Sequence, residues 1–530
     1  MMRASCCIAF LFTWGVFPLE AATQNRPQPK LNFIIVHVDD MGWKDLGCQG
    51  SQFYLTPNID KLAKRGMRFT NAYAAAAICS PTRAALMTGR YPARLGVTDW
   101  IRARFQRGGR GTPKRNPTEY VGGPNRRLLC PPNPYWMELE EVTIAEILRE
   151  LGYATCHIGK WHLGDDAWYP QHQGFQFNYG GCDYGQPPNY FDPFQSRRLK
   201  QGIPGLPPRK IGEYLSDREA DEAVNFIKKH QNKPFFLYLA HYAVHTPIQA
   251  KADVTEKYKQ RLATLPKSNK QKNPKYAAMV ESVDDAMGRI LAVLQQLNLD
   301  EKTVIIFTSD NGGLLGPTNN YPLRSGKGFP YEGGIRVPLI VRWPGTVPPG
   351  KTSEEPVISV DYLPTIAEAA GAKLPQNRKI DGVSLVKHLR SGGKTKLPRD
   401  AIYWHFPHYR SGSPYSIIRK GDWKLTKFYE GPRMELYNLK NDLGEKNDLA
   451  KKHPQKAKEL HRDLQKWLKD VNAKLPRPNP KYRPKNKKRS ARGPEHLFRE
   501  PSHSILQYTE IRGVRIDSSQ LYSRIGRQFE

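Results

Sequence analysis

Short apolar runs bounded by turn residues recur along the chain: LNFIIVHV (31–38), YATCHIG (153–159), KPFFLYLA (233–240), TVIIFTS (303–309) and PLIVRW (338–343). They are continuous rather than alternating, the pattern of strands covered on both faces, and they predict buried parallel strands. Helical patterns fall between them. TPNIDKLAKRG (56–66) opens with a capping residue, Thr56, and ends at a glycine, while TIAEILRELG (143–152) and residues 275–299 are amphipathic. Alternation of this kind predicts an α/β fold: a large mixed, mostly parallel sheet with helices on both faces. Near residue 395 the pattern changes. AIYWHF, YSIIRKGDWKLTKFY and RMELYNL predict antiparallel strands, and residues 453–471 one helix. The expected organisation is therefore a large α/β domain at 23–395, a smaller α+β subdomain at 396–473, and a basic tail at 474–530, partly disordered. Two long Gly/Pro/Arg-rich loops, 101–135 and 185–212, interrupt the first domain, and loops of that length commonly serve a site.

The first 22 residues do not belong to this pattern. One arginine, an apolar run and then small residues read as a secretory signal, with cleavage near Ala21 or Ala22. The run is short for a membrane anchor, and no later stretch is long and apolar enough to span a bilayer. Export implies a secreted or periplasmic location. The single N-x-[ST] match, Asn116–Thr118, is blocked by Pro117, which favours a bacterial source. Five cysteines follow the leader: Cys48, Cys79, Cys130, Cys156 and Cys182. An odd number leaves at least one unpaired in a monomer, the pairing of the others is not readable, and no C-x-x-C pair suggests thiolate zinc.

Charge narrows the partners. The formal net charge is +32, and removing residues 474–492 still leaves +23. Residues 101–127 hold eight Lys or Arg against Glu119 alone. Such a field favours polyanions. Nucleic acid is one candidate and sulfated polysaccharide another; no nucleic-acid-binding signature accompanies the charge.

Polar residues follow the predicted strands. LNFIIVHV runs into Asp39 and Asp40, YATCHIG into Lys160 and His162, KPFFLYLA into His241 and His245, and TVIIFTS into Asp310 and Asn311. In open α/β sheets, ligands bind beyond the carboxyl ends of the strands. Asp39, Asp40, Asp310 and Asn311 offer only oxygens, the donor set of a hard cation; turns and helix caps are the plain alternative for any one pair. Lys160, His162, His245 and Lys327 offer protons and positive charge, and beside a cation they suit a tetrahedral anion. Cys79, taken alone, is either an inert buried thiol or a nucleophile with His162 or His245 as its base.

Six segments occur in one order: DDMGWKDLGCQG, CSPTRAALMTGR, GYATCHIGKWHLG, HTP, SDNGG and GKG…EGGIRVP. In these the chain resembles the type I, formylglycine-dependent sulfatases of the alkaline phosphatase superfamily, nearest the arylsulfatase A-like and carbohydrate sulfatase branch. The resemblance covers about residues 30–475; residues 476–530 match nothing recognised. It implies that Cys79 is oxidised to formylglycine (3-oxoalanine) by a formylglycine-generating or anaerobic sulfatase-maturating enzyme, with Pro81 and Arg83 in the recognition signal. It implies one Ca²⁺, with Mg²⁺ as the alternative, held by Asp39, Asp40, Asp310, Asn311 and modified Cys79. It further implies that Arg83 holds the aldehyde hydrate and Asp310 takes the proton as that hydrate attacks sulfur. Lys160 and Lys327 stabilise the sulfuryl oxygens, and His245 or Lys327 protonates the leaving alcohol. His162 then breaks the enzyme–sulfate ester by deprotonating the second hydroxyl.

For the substrate, a sulfated glycan is expected. Lys160, His245 and Lys327 would contact the sulfate, and Arg324, His405 and His408 would line a sugar subsite with Trp404 and Tyr409. An aromatic strand packed on the first domain is the equal alternative for the last group. Two rival functions remain: a phosphonate or phosphate ester hydrolase of the same superfamily, and a non-catalytic polyanion-binding protein. No nucleic acid partner and no membrane anchor are expected.

Overall fold

The computed structural model describes residues 30–101, 114–431 and 433–484. The assigned leader, the arginine-rich residues 102–113 and the basic segment from 485 onward lie outside the described residues.

All five apolar runs are strands of one eight-stranded sheet. Its order is Lys351–Ser353, Met67–Phe69, Leu339–Arg342, Thr303–Ser309, Asn32–Val38, Phe235–His241, Ala154–Gly159, Phe177–Tyr179. The central strand shows why the runs are continuous. Ile34, Val36 and Val38 face one core, shared with the helices Leu215–Lys229 and Pro274–Gln296. Phe33 and Ile35 face a second core, under the helices Ile144–Glu150 and Tyr362–Ala370. Both faces are dry, so both must be apolar. The three edge or near-edge strands that the pattern missed are three residues each, too short to carry a period.

Two expectations are corrected. PLIVRW is a buried strand, but Leu339–Arg342 runs antiparallel to both neighbours, Thr303–Ser309 and Met67–Phe69. Continuous hydrophobicity encodes burial, not direction. Thr56 does not cap the Pro57–Lys64 helix through its side chain. Its hydroxyl donates to Asp60 (3.1 Å) and accepts from the Gly47 N–H (2.8 Å). The orphan N–H groups of Asn58 and Ile59 are taken by Asp284 of the Pro274–Gln296 helix, at 3.2 and 2.8 Å.

The second sheet is an antiparallel meander: Ala401–Phe406, Tyr415–Lys420, Trp423–Phe428, Met434–Asn438. The amphipathic helix Pro454–Asp470 covers it through Leu460, Leu464 and Trp467. Its core is continuous with Tyr73 and Ala75–Cys79, so the second sheet supports the segment that leads into the Cys79 helix. Residues just past 473 are ordered against the first long loop: Arg477–Pro478 pairs antiparallel with Leu128–Leu129. Among the described residues no helix is long and apolar enough to cross a membrane, and Cys48, Cys79, Cys130 and Cys156 are free thiols.

Candidate active site

Register brings the polar residues together. Val38 lies opposite both His241 and Ser309, and Gly159 lies opposite Ala240. The residues that follow each strand therefore emerge side by side at one sheet edge: Asp39–Asp40, Asp310–Asn311, Lys160–His162 and the turn carrying His245.

The signature helix Cys79–Thr88 enters this edge end-on, and all ten of its residues are buried. Pro81 is tolerated because first-turn N–H groups have no intrahelical partner. The Thr82 hydroxyl ties the turn back to Ala76, donating to its carbonyl (3.0 Å) and accepting from its N–H (3.1 Å). Gly89, in the left-handed region at φ 66°, ends the helix and donates to the Ala85 carbonyl. The four-residue spacing puts Cys79 and Arg83 on one face. Arg83 is fixed from three sides. Its Nε and Nη2 donate to Asp310 Oδ2 (3.0 and 2.9 Å), its Nη1 donates to the Lys160 carbonyl (2.8 Å), and Nη2 lies 3.8 Å from Asp39 Oδ1.

Lys160 Nζ donates to Asp39 Oδ2 at 2.6 Å, and Lys327 Nζ pairs with Asp40 Oδ1 at 2.6 Å. Asn311 Nδ2 also donates to Asp40 Oδ1, at 2.8 Å. His245 Nε2 stands 3.5 Å from Asp40 Oδ2. The loop that carries Lys327 folds back on the strand end: Lys327 N–H donates to the Gly313 carbonyl, Gly312 N–H to the Gly334 carbonyl, and Gly328 N–H to the Ala77 carbonyl. A β-carbon on Gly312 would sit 1.8 Å from the Gly333 oxygen, so the glycines of SDNGG and EGG are there for backbone contact.

Three buried oxygens in this cluster have no hydrogen-bond donor: Asp39 Oδ1, Asp40 Oδ2 and Asn311 Oδ1. Ligand atoms of Asp39, Asp40, Cys79 and His245 all lie within 4.8 Å of one another. Buried acceptors without donors are rare and costly; three converging on one point fit a hard cation. The electrostatics agree. Burial and the neighbouring Asp310 carboxylate push Asp39 well above the usual carboxylate range. For Asp40 burial also pushes up, but Lys327 and His245 outweigh it and the net shift is down. Asp310 is held far down against burial by Arg83 and Lys160. Burial, with Lys327, lowers His245 to about 3. Burial, with Lys160 and Arg83, takes His162 well below its ordinary value, so both rings are neutral. His162 Nε2 donates to the Ile101 carbonyl (2.8 Å), leaving Nδ1 buried as an acceptor with no donor. Burial likewise raises the Cys79 thiol.

Ten of the thirteen site residues expected from sequence thus meet at one edge. Arg324, His405 and His408 do not. Arg324 donates to Tyr437 Oη (3.0 Å) and the Glu445 carbonyl (2.9 Å) and stacks on Tyr331, at 3.7 Å. His405 is buried and engages Ser416 Oγ (2.7 Å) and the Lys474 carbonyl (3.1 Å). His408 is buried against Thr98 Oγ1 at 2.8 Å. Trp404 is also buried, donating to the Ala74 carbonyl at 2.8 Å. These contacts tie the four side chains to the framework around the site. Sequence reasoning missed Ser80, whose hydroxyl donates to the His162 carbonyl and accepts from the Ile101 N–H, both at 2.9 Å, and so sets the His162 contact. Its position inside the signature was the available signal.

A carboxyl-edge cluster of oxygens ringed by one arginine and two lysines defines a hydrolase of anionic esters on an alkaline phosphatase-like sheet. The sulfatase family model matches residues 31–372, and that for the C-terminal part of N-sulphoglucosamine sulphohydrolase matches residues 325–474. The chain belongs to the sulfatase family and is a sulfuric ester hydrolase. A sulfatase of Formosa agariphila is 33% identical over 87% of this chain and 93% of its own length. Arylsulfatase A of Homo sapiens is 32% identical over 76% of this chain and 75% of its own. The crystal structure of Ps i-CgsB in complex with k-i-k-neocarrahexaose superposes with a TM-score of 0.68 at 34% identity, covering 83% of this chain and 93% of that one.

Proposed function

We propose that this protein is an exported sulfatase that removes sulfate from a sulfated glycan, using formylglycine at position 79 and one calcium ion, by way of a sulfate ester on residue 79. The observation that carries this reading is the set of three donor-less buried oxygens, on Asp39, Asp40 and Asn311, facing the start of the Cys79 helix. Those oxygens, with Asp310, would hold the ion. When bound, a hard cation neutralises sulfate oxygens and lowers the pKa of a ligated hydroxyl. A structural relative supports the glycan: Ps i-CgsB was crystallised in complex with k-i-k-neocarrahexaose.

The chain's own groups divide the work. Arg83, locked on Asp310 and the Lys160 carbonyl, holds the hydrated aldehyde at the helix start. Asp310, kept ionised by Arg83 and Lys160, accepts its proton as one oxygen attacks sulfur. Lys160 and Lys327 bear the charge that grows on the sulfuryl oxygens. The proton that an alkoxide leaving group requires comes from Lys327, which is charged at rest, or from His245, the partly exposed member of the cluster, once its neutral ring has taken one up. His162, neutral with Nδ1 open, deprotonates the second hydroxyl; the aldehyde reforms and sulfate leaves. A serine at 79 has no second hydroxyl, so Cys79→Ser should take up sulfate once and stop.

The test uses enzyme co-produced with a maturation enzyme. Peptide mass across residue 79 should show the aldehyde, and aryl sulfate should be hydrolysed faster than aryl phosphate. An intact thiol in fully active enzyme, or multiple turnover by Cys79→Ser, would refute the mechanism. Faster phosphate hydrolysis would move the protein to the phosphoesterase reading. His245→Ala should lose more rate on alkyl than on nitrophenyl sulfates, because a nitrophenolate leaves without a proton.

A further inference from the structure

A second concentration of positive charge lies beside the site, and the chemistry above uses none of it. The segment 408–411 passes along the rim. At one end His408 bonds Thr98, three residues from the Ile101 carbonyl that holds His162. At the other end Arg410 and Ser411 lie against Gly328, next to Lys327: a β-carbon on Gly328 would come within 3.3 Å of Arg410 Nε and 2.8 Å of Ser411 Oγ. Arg410 is exposed.

The first long loop is docked on this segment. Tyr409 Oη accepts from the Leu128 N–H and donates to Glu430 Oε1, both at 3.2 Å. The exposed Arg126 guanidinium lies 4.5 Å over the Tyr409 ring. Arg127 lies 5.3 Å over Tyr482 and Arg477 4.0 Å over Tyr120. Arg127 is 64% exposed, and its nearest carboxylate, Glu430, is 4.0 Å away. The loop is fastened from behind by buried Asn479. Its Nδ2 donates to the Gly123 and Arg126 carbonyls (3.0 and 2.8 Å), and its N–H donates to the Arg127 carbonyl (2.9 Å). Three stretches distant in sequence, 120–130, 408–411 and 477–482, thus present four arginines, with the Glu430 carboxylate beside them among the described residues.

The chemistry of the ridge is specific. A guanidinium laid on an aromatic face keeps its N–H edge outward, in the fork that binds planar pairs of anionic oxygens, and loses less freedom on binding. Such a fork suits sulfate or carboxylate groups on a sugar chain more than it suits a neutral sugar.

We propose that Arg126, Arg127 and Arg477, laid on Tyr409, Tyr482 and Tyr120, together with Arg410 beside Gly328, form a second anion-recognition surface that binds flanking sulfate groups of a multiply sulfated chain while one ester sits at residue 79. This rests on the glycan reading above. It makes the enzyme a selector of polymeric or oligomeric substrates over monosulfated ones.

The test compares 4-nitrophenyl sulfate with a carrageenan hexasaccharide for wild type, Arg126→Ala/Arg410→Ala and Asn479→Ala. The double variant should raise KM for the hexasaccharide about tenfold, the equivalent of about 1.4 kcal/mol shared by two exposed charge contacts. kcat should be unchanged and the salt dependence shallower, with 4-nitrophenyl sulfate rates within about twofold of wild type. Asn479→Ala, which keeps every charge but frees the loop, should show the same split more weakly. Unchanged KM for the hexasaccharide, or equal losses on both substrates, would overturn the proposal. Binding of the hexasaccharide to Cys79→Ala separates this surface from turnover. Arginine-dependent binding without glycan hydrolysis by wild type would sink the glycan sulfatase reading and leave the surface standing. Binding that ignores the arginines would sink the surface alone.

Discussion

The loop that carries Lys327 joins two buried clusters of charge built in opposite ways. Downstream, Glu332 begins the short helix Glu332–Ile335, and each carboxylate around it meets a cation. Glu332 Oε1 pairs with Lys424 (3.0 Å); its Oε2 accepts from Arg336 Nε and Tyr73 Oη, both at 2.7 Å. Glu445 pairs with the same lysine at 2.8 Å and accepts the Glu332 N–H at 2.6 Å. Arg419 completes the group on Tyr73. Upstream, the cluster of Asp39, Asp40, Asp310 and Asn311 has cations close on some oxygens and no hydrogen-bond donor on three others. The first cluster is closed by the protein itself and locks the second sheet onto the end of the Lys327 loop. The second is left open by the same chain. Charge burial alone therefore does not mark a functional site, and neither does one donor-less oxygen such as Glu445 Oε1 or Asp192 Oδ1; several gathered together do.

The contrast can be broken most forcefully by Asp39→Asn. Turnover should fall by at least about 10²–10³-fold, the loss typical of removing one charge-stabilising group. The urea midpoint of metal-free protein should not fall, because the Asp39 carboxylate is disfavoured by burial and Asp310 in the first place. A lowered midpoint with retained activity would mean the assignments are reversed. Lys424→Met should do the opposite and lower unfolding stability by about 3–5 kcal/mol, since it leaves Glu332 and Glu445 buried without their cation. Adding Glu445→Gln should recover part of that loss.

Chelation sharpens the same difference. Removing divalent ions should abolish activity and lower Tm, with calcium restoring both; an ion at a hundred times its Kd contributes about 2.7 kcal/mol. The Tm response should vanish in Asp39→Asn and persist in Lys424→Met. The smallest effect is on pH dependence. Burial, opposed by Lys424 and reinforced by Glu332, pushes Glu445 up to about 7 from its ordinary 4.5. Its proton is thus bound more tightly in the fold: this contribution to stability is complete below about pH 4.5 and is lost as pH rises through about 7. Glu332 is shifted down, against burial, by Lys424 and Arg336, so its contribution runs the other way and is lost on acidification. Glu445→Gln should flatten the decline between pH 4.5 and 7, read from urea midpoints across that range.

Much of the site was legible because its parts are local. Asp39–Asp40, Lys160, His162, His245 and Asp310–Asn311 follow strands whose apolar runs are plain, and an open α/β sheet delivers such residues to one edge. The Cys79–Arg83 spacing is a helical repeat. What was not legible depends on partners far away in the chain. His405 and His408 read as sugar ligands only until Ser416, Lys474 and Thr98 are seen to occupy them. Arg324 is spent on Tyr437 and Glu445. Arg410, which no local pattern distinguishes from other exposed arginines, gains its place from Gly328.

The sequence by itself determined which stretches are buried strands, which helix carries the cysteine, and which side chains supply oxygen, nitrogen and charge, because hydrophobic period and side-chain chemistry are properties of a few neighbouring residues. Only the tertiary structure decided the direction of Leu339–Arg342, the capping of Pro57–Lys64 by Asp284, and which buried charges are satisfied. Each of those depends on which distant donor meets which acceptor, and strand register and helix packing set that at separations of hundreds of residues.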